Sequence, residues 1–359
     1  MLLIDLTAFV ILVAVCAYGV LAGADFGGGV WDLFARGPRK MEQRAAIARA
    51  MAPVWEANHV WLIFVIVLLF TALPGAFALL VTALFIPFHL ALIGIVLRGA
   101  AFVFRAHAPR ARDGAVGPGA GAAGAAEVTR FARHTGVVFG VASTVTPLLL
   151  GMALGSVSAG RIEGELPGID SGMGALAISL AWLSPIALFT GLLALALCAY
   201  VAAVFLAWEC QARGERGLTE DFRDRALYTG GVVVALSVCV IPLLAHEAPS
   251  LARSLFTWRA LPVVLTGGVA ALVAGFALLR RHMHLARIAT VVQIAALLGG
   301  WGLAQYPYVL YPSLTLAQAA APDTTLRFLL VSMPFAALLL GPSLWLLFRV
   351  FKQRGRLRA

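Results

Sequence analysis

The sequence predicts an all-α, polytopic membrane protein with nine transmembrane helices, on three observations. The first is composition. Of 359 residues, 61% are hydrophobic and 12% charged, with mean hydropathy +0.93. A soluble domain carries roughly 45–50% apolar and about 25% charged residues, so too few charges are present to cover a water-facing surface. The second is that nine apolar stretches reach the roughly 20 residues a bilayer crossing needs. The third is where Lys and Arg fall between them. A net charge of +10 in a soluble protein would point to nucleic acid. Here the basic residues follow the loop pattern that sets membrane topology, and no nucleic-acid partner is expected. High hydrophobicity excludes disorder. Four Cys, all in apolar runs, exclude a disulfide scaffold.

The stretches run about 6–34, 51–72, 75–104, 131–155, 175–210, 223–245, 259–280, 285–304 and 326–351. The second and third are separated by Ala72-Leu73-Pro74-Gly75, a turn signal. The first, third and fifth exceed bilayer thickness and are expected to tilt or extend past the lipid. Residues 113–127, DGAVGPGAGAAGAAE, read as a Gly/Ala-rich cytoplasmic spacer. The whole chain is expected to form one integral membrane domain, residues 1–359. Eight of the helices would make two four-helix bundles, with the ninth peripheral.

Twenty-two Lys and Arg fall in one alternating set of loops, including the tail. Arg161, Arg253, Arg259 and Arg327 lie in the other set, and Arg98 lies inside a helix. This asymmetry predicts an outside N-terminus and a cytoplasmic C-terminus. Asp5 precedes the first apolar run and no Lys or Arg does, unlike a cleaved signal peptide, so the first helix is expected to be retained.

Ionisable groups at bilayer depth are costly and mark function or a protein-facing site. The candidates are Asp25, Asp32, Glu56, His59, His89, Arg98 and Glu209. At about 1.5 Å of rise per residue, Asp25 lies roughly 16 Å and Glu56 and Arg98 roughly 10 Å from the cytoplasmic boundary. Glu56 and His59 are three apart and share a helix face. A buried carboxylate has a raised affinity for protons and an imidazole titrates near neutrality, so the two form a proton-entry pair. The competing reading is that Glu56 pairs with Arg98 as a packing device. Asp25 sits in Gly23-Ala24-Asp25-Phe26-Gly27-Gly28-Gly29, where glycines permit close helix contact. Asp32 and Glu209 are expected near the boundary, Asp32 solvated. A lone membrane histidine such as His89 is more often a packing residue than a haem ligand. CxxC, CxxCH, HExxH and Walker sequences are absent, so no metal site or redox chemistry is expected on this chain alone. By themselves these buried charges also suit a proton-coupled secondary transporter or a purely structural membrane subunit.

The stretch Ala52-Pro53-Val54-Trp55-Glu56-Ala57-Asn58-His59-Val60-Trp61-Leu62-Ile63 resembles the P-x-W-[DE]-[GA]-N-x-x-W-L signature of subunit II of cytochrome bd-type quinol oxidases. Residues 23–29 resemble that family's G-x-D-x-G-x-G segment. Further similarity runs through Leu97-Arg98-Gly99-Ala100-Ala101-Phe102, Phe139-Gly140 to Gly151, Gly214-Glu215 to Ala226, and Tyr306-Pro307 to Leu326. Glu56-Ala57 stands where many members have Asp-Gly, and His59 where others have Gln or Glu; this variant resembles the cyanide-insensitive branch. Val103 replaces an acidic residue common in the family.

The resemblance implies a bacterial inner-membrane enzyme that oxidises quinol and reduces oxygen to water. Haems b and d and the quinol site would belong to subunit I, the partner of this chain. This subunit would support assembly and help form a path for cytoplasmic protons. Glu56 carries over as the proton-entry carboxylate, and Glu56, His59, Asp25 and Arg98 are the expected proton-pathway residues, Asp25 as a polar core residue. Trp55, Asn58 and Trp61 carry over as structural motif residues.

Overall fold

The computed structural model of the chain describes residues 1–107, 122–160, 162, 180 and 182–356. In chain order the elements are α1 (Leu2–Leu33), α2 (Lys40–Ala72), α3 (Pro74–Ala83), α4 (Phe85–His107), α5 (Ala122–Ser158), α6 (Pro185–Ala212), α7 (Arg216–Glu247), α8 (Pro249–Leu255), α9 (Leu261–Leu279) and α10 (Met283–Gln305). A two-stranded antiparallel hairpin, β1 (Tyr308–Leu310) and β2 (Leu314–Thr315), precedes α11 (Leu316–Ala319) and α12 (Asp323–Arg356). Among the described residues nine helices are long and apolar enough to cross a membrane, as the hydropathy pattern predicts.

Several boundaries differ from the expected ones, each for a local reason. The second span begins at Lys40, well before residue 51. Its first turns are too charged for a hydropathy window, yet Gln43, Ala46, Ile47, Met51 and Val54 are buried at helical spacing. The third apolar run is two helices that meet at Leu84. Pro87 stands in the first turn of α4 and has no N–H to offer Ala83 in a continuous ladder. The fifth span starts at Pro185 and not near 175, because Ser184 caps it by accepting a hydrogen bond from the Ala187 amide at 3.2 Å. The earlier part of that expected span, 175–179, lies outside the described residues. So do residues 113–121 of the Gly/Ala-rich segment, whereas 122–127 already belong to α5. The hairpin and α8 carry no strong hydropathy signal and were not expected.

Helix α1 packs on α2 and α5, and α4 packs on α5. Helix α6 packs on α7 and α10, and α9 on α10, while α12 lies along α2 and α1. This is the expected grouping of two four-helix sets with one helix added. The sets join through α1 and α5 against α6. Residues Gly23 to Asp32 of α1 and Ala199 to Val204 of α6 are buried without a break. A Cβ at Gly27 would run into the backbone carbonyl of Cys198, so only glycine allows this approach. Trp31 closes the seam, its indole N–H donating to the Ala199 carbonyl at 2.7 Å.

Three of the basic segments meet at one end. Arg39 pairs with Asp221, Arg49 with Glu215 at 2.7 Å, and Arg281 with Glu220 at 3.3 Å. The opposite end gathers the N-terminus, the end of α2 and the hairpin. There Tyr306 donates to Asp5 at 3.2 Å, and the Ala321 amide to the Ala72 carbonyl at 2.8 Å.

A polar knot inside the bundle and a carboxylate on its outside

The charge at the centre is Arg98, on α4, with 1% of its surface exposed. A guanidinium cannot shed its charge in a protein and has five N–H groups to place. Its Nη1 and Nη2 grip the Asp25 carboxylate as a fork, with Nη1 to Oδ2 at 2.6 Å. Nη2 also reaches the Asp25 carbonyl at 3.1 Å, and Nε donates to Ser143 Oγ on α5 at 2.9 Å. Ser143 passes the chain on to the Phe139 carbonyl at 2.7 Å. Phe26 and Phe139 cover the guanidinium, with ring centres 4.9 and 5.2 Å from it. Asp25 is itself fully buried. Its Oδ2 takes a second bond, from Asn58 Nδ2 on α2 at 3.1 Å. A carboxylate only accepts, so the amide nitrogen of Asn58 must be the atom that faces it. Four helices, α1, α2, α4 and α5, thus meet at one ion pair. The glycines of 23–29 make room for it: a Cβ on Gly29 would collide with Ser143.

The expected contest for Arg98 is therefore decided. Its partner is Asp25 on α1, and Glu56 takes no part. Glu56 is exposed on the outer side of α2 and forms no hydrogen bond or ion pair among the described residues. The reason is rotation. Two residues along a helix is a turn of roughly 200°, so Asn58 pointing inward sends Glu56 outward. A carboxylate directed at hydrocarbon is not stable unless protein or water covers it.

His59 is half-buried beside Glu56 and sends Nδ1 to the Trp55 carbonyl at 2.6 Å. A carbonyl only accepts, so Nδ1 is the donor of this contact. Trp55 lies between the His59 ring at 4.8 Å and Phe102 of α4 at 5.6 Å. Trp61 is elsewhere: it meets Phe64 edge-on at 5.7 Å and joins the apolar cluster around Ala72, Ala319 and Leu326.

The structure thus joins Asp25, Arg98 and Asn58, and separately Glu56, His59 and Trp55. Asp32, expected to be solvated, is 1% exposed and lies 3.7 Å from Arg44, which also donates to its carbonyl at 3.2 Å. Arg44 follows it by twelve residues across the α1–α2 turn, a distance that helix spacing does not reveal. Glu209, expected only to lie near the boundary, pairs with Arg213 one turn on at 3.0 Å. Phe26 and Phe139 stand in the matched segments but drew no role, and Ser143 none either, because Ser and Phe are ordinary in a membrane helix. Gln43 also went unremarked, although its place in the buried spacing of early α2 could have flagged it. It donates to Asp221 at 3.0 Å and accepts from Arg225 at 2.8 Å.

Among the described residues no three His, Cys, Asp or Glu side chains gather where a metal could be held. His89 is exposed, its Nδ1 against its own helix at Phe85, 2.7 Å away. The fold and site define a multi-pass helical membrane subunit with a locked internal ion pair and an outward carboxylate that calls for a covering partner.

The comparisons with known proteins name the partnership. The chain belongs to the family Cytochrome bd terminal oxidase subunit II, whose sequence pattern matches residues 3–351. It is 24% identical over 352 residues to a Bacillus subtilis (strain 168) protein provisionally described as a cytochrome bd menaquinol oxidase subunit II, covering 94% of this chain and 92% of that one. It is 39% identical over 97 residues, 26% of this chain and 28% of the other, to cytochrome bd ubiquinol oxidase subunit 2 of the same strain. Its fold is similar to a chain in the structure of bd oxidase from Geobacillus thermodenitrificans, with TM-score 0.71, 24% identity and coverage of 98% and 99%. The chain is therefore a subunit of a terminal oxidase, an oxidoreductase complex, and the transporter reading is not favoured.

Proposed function

We propose that this chain partners a haem-bearing subunit I in a bacterial inner membrane, in a complex that oxidises quinol and reduces oxygen to water. Haems b and d and the quinol site belong to subunit I on this reading, and the chain contributes assembly and proton uptake. The distribution of Lys and Arg supports an outside N-terminus and a cytoplasmic C-terminus. The basic ends of α2 and α7 then face the compartment from which protons are drawn.

One observation carries the reading: Glu56 faces out of the bundle at membrane depth. A carboxylate there is useful only if a neighbouring subunit covers it, and in that place it can pass protons along the joint. His59, one turn along the same helix, is the second candidate for proton transfer on that side. Asp25 and Arg98, expected on the pathway, serve on this reading as a fixed polar wall beside it. Each oxygen of Asp25 already receives a donor from Arg98, and Oδ2 receives Asn58 as well.

Glu56→Gln tests this in the purified two-subunit complex. The reading expects normal haem content, quinol-driven oxygen uptake reduced by roughly 100-fold or more, and recovery in Glu56→Asp. Normal turnover in Glu56→Gln would leave the chain with a structural role only.

A further inference from the structure

The outward carboxylate and the inward ion pair share one helix, and one residue connects them. We propose that Asn58 is a positioning residue: bonded to the Asp25–Arg98 pair, it fixes the rotation of α2 and so the direction in which Glu56 and His59 face the partner subunit. The inference rests on the proposed role of Glu56 and adds the group that aims it.

Three observations carry it. The early turns of α2 are anchored by Gln43, Arg44 and Arg49 to Asp221, Asp32 and Glu215. That anchoring is not passed on rigidly. Pro53 follows, leaving the Arg49 carbonyl without its usual N–H partner and loosening the helix at that turn. Beyond Pro53, Asn58 makes the one side-chain hydrogen bond from α2 to another helix among the described residues. Its other inward neighbours, Val54, Ala57 and Leu68, are apolar, and apolar contacts are non-directional. The anchor itself is held from several sides. Asp25 is held by a forked guanidinium that is tied in turn to Ser143 on α5 and covered by Phe26 and Phe139. A rotation of α2 by one residue's worth, about 100°, would turn Glu56 away from its present side. Smaller rotations shift it by ångströms, enough to lengthen a proton-transfer contact.

The test is a cycle of Asn58→Leu, Glu56→Gln and the double variant in the purified complex, read by haem content, oxygen uptake and infrared difference spectra of the Glu56 carboxyl. That band is identified as the one missing in Glu56→Gln. Asn58→Leu is expected to keep its haems, lower turnover roughly 10- to 100-fold, and shift or broaden the Glu56 band. The double variant is expected to fall no further than Glu56→Gln alone. Losses that multiply, or a Glu56 band unchanged by Asn58→Leu, would overturn the proposal. Asn58→Ser, which fits the space but falls short of Asp25, gives the same readings if the leucine variant does not assemble. Normal turnover in Glu56→Gln would remove the proton role while the infrared band still reports whether Asn58 aims Glu56, so the two failures are told apart.

Discussion

Two of this protein's arginine–aspartate pairs, Arg98–Asp25 and Arg39–Asp221, differ in nearly everything but chemistry. Arg98–Asp25 lies between four helices with both side chains at or below 2% exposure. Arg39–Asp221 joins the α1–α2 turn to α7 with Arg39 about half exposed. Water competes for the second pair and salt screens it. Nothing competes for the first, and either partner left alone would be a buried, uncompensated charge. The buried pair thus fixes where helices stand, while the exposed pair ties two segments at the basic end without deciding the fold. The comparison teaches that position, and not the identity of the two residues, sets what an ion pair does.

The comparison breaks first at its strong end. Arg98→Met should destabilise the chain by about 3–5 kcal/mol, because Asp25 is left buried and unpaired. The loss would show as little assembled, haem-containing complex in membranes. Adding Asp25→Leu should recover a large part of it, since an apolar replacement removes the orphan charge. Failure of the double variant to improve on the single one would mean that the pair's geometry, and not its charge balance, carries the stability.

Next in size is the seam that lets the pair form. Gly27→Ala drives a methyl group against the Cys198 carbonyl, an atom of backbone that cannot step aside. Overpacking of this kind costs about 1–3 kcal/mol, read as a lower melting temperature of the solubilised complex. Gly75→Ala is the control, because a Cβ there meets nothing within 4 Å.

The smallest effect belongs to the exposed pair. Asp221→Asn should leave assembly and turnover close to normal. The slight fall in melting temperature should vanish as ionic strength rises. A large or salt-independent loss would show that Gln43 and Arg225, which meet at the same place, make a network stronger than its exposure suggests.

Much of this was legible beforehand. Nine spans follow from hydropathy, because backbone in lipid must bond to itself and helices do that within one segment. The W-E-A-N motif marked Glu56 and Asn58 as a unit, and the intramembrane charges were marked by their cost. Less legible was which charge meets which. Glu56 and Arg98 lie at similar depth in the sequence, and depth alone made them a plausible pair. The rotation of α2 decided otherwise. The early turns of α2 and the start of α6 were missed for simpler reasons: charges hide an amphipathic helix from a hydropathy average, and Ser184-Pro185 ends an apolar run without making it polar.

The sequence by itself determined the class of the protein, the number of spans and which intramembrane residues are the candidates for chemistry, because these depend on transfer between water and lipid, which each segment undergoes alone. Only the tertiary structure decided that Asp25 takes Arg98, that Asn58 joins them and that Glu56 is left facing out. Those choices depend on how helices turn about their own axes, and that rotation is fixed by hydrogen bonds between residues as far apart in the chain as Asp25 and Arg98.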